Sequence, residues 1–162
     1  MNSVIVFVAQ YVFLLSILIA AVYWFRLRTN TKVELAARAI VGGALALILS
    51  HLAGSLYYDP RPFVVEHVTP LIPHAADNGF PSDHALLTSF IAFVILAYSR
   101  KWGSLLLVVA VLVGAARVAA RVHHPLDIVG SFVISAVAAG AVSLFITTDR
   151  LTSMGRHAKK NP

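Results

Sequence analysis

The stretch FPSDHALLTSF, residues 80–90, sets Ser82, Asp83 and His84 in a row just before an apolar run. A second group, ARVAARVHHPLD at 116–127, carries Arg117, Arg121, His123, His124 and Asp127, and DPRPF at 59–63 carries Arg61. An aspartate four residues from a histidine can hold the imidazole in one tautomer and stabilise its positive form, the arrangement of a nucleophile and its orienting group. His123 and Asp127 have this spacing. Pro125 breaks the chain between them, so Asp127 falls near the start of a following helix, where a carboxylate suits the dipole. The plainer reading is a helix cap beside a surface histidine. Arg117 and Arg121, four apart, are expected on one helix face, where like charges repel by roughly 0.2–0.5 kcal/mol. An anion between them would reverse that sign. Pro81 suits a first helical turn, Ser82 can cap it, and the free N–H groups there favour an anion. Arg61 and Arg117 would add bidentate donors for phosphate oxygens, and His84, one turn inside, could donate a proton. His84, His123 and Asp127 would also suit zinc, but the neighbouring arginines would repel a cation.

These groups must be positioned by apolar elements. Of 162 residues, 59% are hydrophobic and 12% charged, and no cysteine is present, which excludes disulfide and thiolate chemistry. Residues 4–25 carry no charge, and at ~1.5 Å per residue they cross a bilayer core. With no basic residue before them and no small-residue cleavage pattern after, they read as an anchor rather than a cleaved leader. Further spans are expected at about 33–57, 84–98, 103–122 and 126–147, giving about five transmembrane helices in one domain over 1–147. The apolar part of the fourth, 103–116, is too short to cross alone, so the helix is expected to continue through Arg117 and Arg121. The charge of a buried intramembrane arginine costs at least ~2.5 kcal/mol and marks function; Arg121, nearer the end, can instead snorkel to water.

The segment 59–83 holds five of the seven prolines. Such backbone cannot span lipid unaided and must lie on the surface or fold back against the bundle. Of the thirteen Lys and Arg, ten fall on one side of a five-span topology and only Arg61, Arg117 and Arg121 on the other. The larger set belongs in the cytoplasm, together with a basic tail at 148–162. The loop 59–83 and all three polar groups then share the outer face. The +6 charge is thus a topology signal, and no nucleic-acid partner is implied. A proton-coupled transporter is the rival class, but it should show repeated halves and midplane sites; no repeat is found, and the polar groups gather at one end.

RP at 61–62, PSDH at 81–84 and the Arg117–His123–Asp127 spacing resemble the three signature motifs of the type 2 phosphatidic acid phosphatase superfamily. LIPHAADNGFPSDHA at 71–85 is most similar to its bacitracin-resistance subfamily of undecaprenyl-diphosphate phosphatases. The resemblance, covering about 57–130, implies an all-α polytopic bundle with a Pro-rich outward-facing loop at the active site. It implies hydrolysis of the terminal phosphate of undecaprenyl diphosphate, recycling the cell-wall lipid carrier, in a bacterial inner membrane with the site facing the periplasm or exterior. Other lipid phosphates, such as phosphatidylglycerol phosphate, phosphatidic acid or lipid A, are the alternatives. His123 would form a phosphohistidine, Asp127 would orient it, and His84 would protonate the leaving group. Arg61, Ser82, Arg117 and the backbone N–H near Asp83 would hold the phosphoryl oxygens, without metal or other cofactor; Arg121 would meet the second phosphate of a diphosphate. Three positions depart from the family pattern. Gly54 stands where a lysine is usual, Ala116 replaces a serine, and Asp83 replaces a glycine; the Asp83 carboxylate must point away or pair, with Arg121 as a candidate.

Overall fold

The computed structural model describes residues 2–146, and its described residues form helices and loops with no named strand. The elements are α1 (Asn2–Phe25), α2 (Thr29–Leu56), the short α3 (Pro62–Val65), α4 (Asp83–Leu96), α5 (Arg100–Ala119) and α6 (Pro125–Phe145). The basic tail 148–162 lies outside the described residues.

Four of the five expected spans, α1, α2, α5 and α6, are long and apolar enough to cross a membrane, at 24, 28, 20 and 21 residues. Their outer faces are apolar and exposed, as at Leu18, Ile40, Val108 and Val133, which is the surface a lipid environment covers. The chain is a multi-pass membrane protein. The third expected span is shorter: α4 has 14 residues, about 21 Å of helix against a hydrocarbon core of about 30 Å. It works as the central helix, with eight residues buried, among them Leu86, Phe90 and Ile95. Lateral protection by its neighbours replaces the length that a lipid-exposed span needs.

Serines stitch the centre together. Ser89 Oγ donates to Ser135 Oγ at 2.8 Å, and Ser135 Oγ also lies 2.9 Å from the Leu86 carbonyl. Ser131 Oγ reaches the Ser82 carbonyl at 2.9 Å. Such bonds align apolar helices where burying more apolar surface gives no drive.

The bundle has two distinct ends. At one, Arg38 pairs with Glu34 at 2.7 Å and donates to the Ile146 carbonyl at 2.9 Å, while the Tyr98 hydroxyl meets Glu34 at 3.0 Å. This joins the start of α2, the exit of α4 and the end of α6. At the other end the start of α1, the loop 57–82, the end of α5 and the start of α6 converge, packed around Ile72, Ala116, Ala120 and Val122. Of the two alternatives for the proline-rich segment, the chain takes the fold back against the bundle: Arg61, Ile72, Gly79 and Ser82 are all buried.

Candidate active site

The proline-rich loop is shaped by one side chain. Asn78 Oδ1 accepts from the N–H groups of Asp59 and Phe80, at 2.9 and 3.0 Å, and its Nδ2 donates to the carbonyls of Gly54 and Tyr57, at 2.9 and 3.0 Å. The loop therefore lies directly on the end of α2. A Cβ at Gly54 would stand 3.0 Å from the Phe80 carbonyl, so the position usually held by lysine is here a tight contact with the loop.

Arg61, at the head of α3, is buried and strapped from three directions. Its Nε donates to Asp77 Oδ1 at 2.7 Å, Nη1 to the Val122 carbonyl at 2.8 Å and Nη2 to the Asn78 carbonyl at 3.3 Å. The Arg61 bond holds the Asp77 carboxyl below its ordinary range. Arg117 projects from the last turn of α5, 4% exposed, and its Nε has no hydrogen-bond partner. A guanidinium so placed has donors to offer an anion.

His123 sits between these two arginines in the turn that joins α5 to α6, 3% exposed. Its Nδ1 lies 2.9 Å from the Gly79 carbonyl and 3.1 Å from Asp127 Oδ2. A carbonyl can only accept, so Nδ1 carries the proton and Nε2 presents its lone pair. Arg61 Nη1 and Arg117 Nη2 stand 3.4 and 3.3 Å from that Nε2. Burial depresses the pKa of His123; the Asp127 bond opposes this, and the arginines add to it. Pro125 opens α6 and sets Asp127 at its third position, where Oδ2 also accepts the His124 N–H at 2.8 Å. The expected place of Asp127 at a helix start is met together with the dyad, so the two readings of this aspartate are one arrangement.

These groups border a polar cavity of about 260 Å³. Its wall includes Arg61, Arg117, His123, His84 and Asp83, so five of the eight candidate residues face one space. Asp127 stands behind His123. Ser82 is fully buried at the N-cap position of α4; its hydroxyl makes no capping bond and has no partner, and its N–H lies 3.4 Å from the Asp127 carbonyl. The expected hydroxyl cap is therefore not made.

Arg121 is a correction. The helix ends at Ala119, and Arg121 has φ 64°, in the left-handed region. It does not share a face with Arg117; it points outward, half exposed, and pairs with Glu66. The expected pairing of Asp83 with Arg121 is likewise absent. The zinc alternative built on His84, His123 and Asp127 is also corrected: among the described residues the trio with cation-compatible spacing is Asp59, His124 and Asp127.

The chain matches known proteins over this same region. Residues 35–151 fit the model of the PAP2 superfamily. The chain belongs to the PAP2 superfamily. Undecaprenyl-diphosphatase BcrC of Bacillus subtilis is 34% identical over 85% of this PAP2 chain and 70% of its own length. The crystal structure of Aquifex aeolicus LpxE superposes with a TM-score of 0.67 at 23% identity, covering 87% of this chain and 84% of that one. A transmembrane PAP2 type phosphatidylglycerolphosphate phosphatase from Bacillus subtilis gives 0.61 at 22% identity, covering 89% and 75%. Both share the fold.

Sequence reasoning missed several residues of this PAP2 site. His51 and Ser50 line the cavity from α2, and His74 lines it from the loop, its ring centroid 6.2 Å from that of His123. Burial, then Arg61 and Arg117, lower the His74 pKa. Asp77, Asn78 and the Gly79 carbonyl hold the arginine and the histidine. His74, Asp77, Asn78 and Gly79 lie in HAADNGF, inside the stretch 71–85 that carries the subfamily resemblance, whereas Ser50 and His51 on α2 carry no motif signal.

Proposed function

We propose that this membrane phosphatase of the PAP2 superfamily removes the terminal phosphate of undecaprenyl diphosphate through a phosphohistidine on His123, without metal. The carrying observation is the lone pair at His123 Nε2, set on the cavity wall between two guanidiniums with Nδ1–H held by Asp127 and Gly79. Nε2 attacks the terminal phosphorus while the bond to the bridging oxygen breaks in line. Undecaprenyl monophosphate leaves, with His84 delivering its proton. Water then attacks the phosphohistidine, His84 takes a proton from it, and inorganic phosphate departs. Arg61 and Arg117 neutralise the three equatorial oxygens, work that positioning and fixed charge can do alone. Asp127 stabilises the positive imidazole of the intermediate. His51, one turn before Gly54 on α2, lines the same cavity and can offer a ring N–H to the second phosphate.

The name of the Bacillus subtilis relative supports the diphosphate over other lipid phosphates. The charge bias supports a cytoplasmic basic end in a bacterial inner membrane, with the site on the periplasmic or outer face. The test is phosphate release by purified protein across lipid mono- and diphosphates with chelator present. The expected result is preference for undecaprenyl diphosphate, survival in chelator, and loss of turnover in a folded His123→Ala variant. Near-normal release by that variant would sink the nucleophile. Preference for phosphatidylglycerol phosphate would move the reading to that substrate.

A further inference from the structure

Asp127 is fully buried, and both of the donors described above go to one of its oxygens. Oδ2 takes His123 Nδ1 and the His124 N–H, whereas Oδ1 has no partner. Asp59, from the loop, packs against it: one oxygen or ring nitrogen from each of Asp59, His124 and Asp127 lies within 4.8 Å of the others. The Asp59 side chain is 14% exposed, and its Oδ2 is 3.1 Å from His124 Nδ1. Two carboxylates shielded from water at such range cannot both ionise without strong repulsion.

We propose that Asp59 holds a proton at neutral pH and donates it to Asp127 Oδ1, with His124 bracing Asp59, so that the pair positions the His123–Asp127 dyad. This rests on the reading of His123 as nucleophile. The hydrogen bonds then run one way. His124 Nδ1–H donates to Asp59 Oδ2, the Asp59 hydroxyl donates to Asp127 Oδ1, and ionised Asp127 keeps both lone-pair directions of Oδ2 for His123 and His124. Burial and the Asp127 charge push the Asp59 carboxyl above its ordinary range, and His124 pulls the other way. Asp127 of α6 and His124 of the turn touch Asp59 directly; His123 of the same turn stands one contact further, and Arg61 of the loop and Arg117 of α5 meet His123 beyond it. Asp59 and His124 are positioning residues. Neither lines the cavity, and the chain of bonds ends at His124, whose side chain is one-third exposed.

Asp59→Asn separates this from a plain structural role, because the amide donates to Asp127 and accepts from His124 but does not titrate. In infrared spectra of the full chain at neutral pH, the wild type should show a protonated-carboxyl carbonyl band that Asp59→Asn lacks. Asp59→Asn should keep kcat/KM within about threefold of wild type, while Asp59→Ala, which strands a buried acceptor, should lose about tenfold or more. The sign of the linkage is also set. A carboxyl with a raised folded pKa destabilises the fold progressively as pH climbs from its unfolded value of about 3.9 to its folded one. The Tm advantage of Asp59→Asn over wild type should therefore grow across that window. Three results would each overturn the proposal: no acid band assignable to Asp59, an Asn variant as slow as the Ala variant, or activity lost to chelator and restored by one divalent cation. If the wild type released no phosphate from any lipid phosphate, the functional reading would fall, while the infrared band and the Tm window would still decide Asp59.

Discussion

At the scale of the residue, the site depends on which imidazole nitrogen carries the proton. His123 is pinned on Nδ1 by two acceptors of different kinds, a carboxylate that can be titrated and a carbonyl that cannot. Because its pKa lies below the ordinary 6.5, His123 keeps its lone pair at pH values where a free histidine would be protonated. The acid limb of kcat/KM should therefore lie below the ordinary histidine value. Asp127→Asn removes the group that favours the charged ring, so that limb should move lower still. The maximal rate should fall by less than the ~10⁴-fold seen where a carboxylate alone sets the tautomer, because Gly79 still holds Nδ1–H. A pH–rate series on the two proteins checks both directions; an acid limb moved upward in Asp127→Asn would contradict the geometry. The two arginines of the third motif should separate just as clearly. Arg117→Ala removes buried charge-assisted contacts of about 1.5–3 kcal/mol, about tenfold to a hundredfold in kcat/KM. Arg121→Ala removes an exposed pair worth about 1 kcal/mol or less, so kcat/KM should stay within about threefold for mono- and diphosphate alike.

At the scale of the element, the loop 57–82 and the start of α6 grip the dyad from opposite sides. Gly79 approaches both: an added Cβ would stand 3.0 Å from Asp127 Oδ2 and 3.1 Å from the Asp59 carbonyl. Either the Asp127 carboxylate or the loop must give by a few tenths of an ångström. Gly79→Ala should cost about tenfold to a hundredfold in kcat/KM by shifting the histidine's acceptor, with a smaller change in Tm. Kinetics and thermal unfolding of the same sample separate the two effects. At the far end of the bundle the balance reverses. Glu34 is 7% exposed and receives both Arg38 and Tyr98. Glu34→Ala should cost about 3 kcal/mol of stability, because it leaves a half-buried cation behind. The fraction that stays folded should keep wild-type kcat/KM, since no cavity residue moves. A variant that loses activity at unchanged Tm would show that this end is coupled to the site.

At the scale of the whole molecule, the two ends carry opposite tasks. One gathers the loop, the dyad, Arg61 and Arg117; the other holds the Glu34–Arg38–Tyr98 cluster. Single cysteines at the exposed positions Ala76 and Asn30 report the two ends, with the native chain free of cysteine. An impermeant thiol reagent on intact cells, with any outer membrane made permeable, should label Ala76→Cys and leave Asn30→Cys untouched. The reverse pattern would invert the orientation and with it the face on which the substrate is met. Ala76 suits this use because it is exposed beside the Asn78 hub without belonging to it.

The helical class, four of the five expected spans and the three polar groups at one end were legible in the chain, because each depends on local composition. An apolar run of sufficient length must be a helix in lipid, and charge bias orders its ends whatever the packing. The His123–Asp127 pair was legible for the same reason: four residues across a proline-started turn is a short-range geometry. Long-range contact decided the rest. Whether Arg121 continued the helix of Arg117 depended on where α5 stopped, and the loop packed on Ala120 and Arg121 ends it there. The shortness of α4 is tolerable only because four neighbours shield it, which no window of sequence reveals. Asp77, Asn78, Gly79 and Asp59 act on residues up to 68 positions away, as Asp59 does on Asp127. A backbone carbonyl that fixes a tautomer has no side-chain signature at all, so only the folded chain could bring it to the histidine.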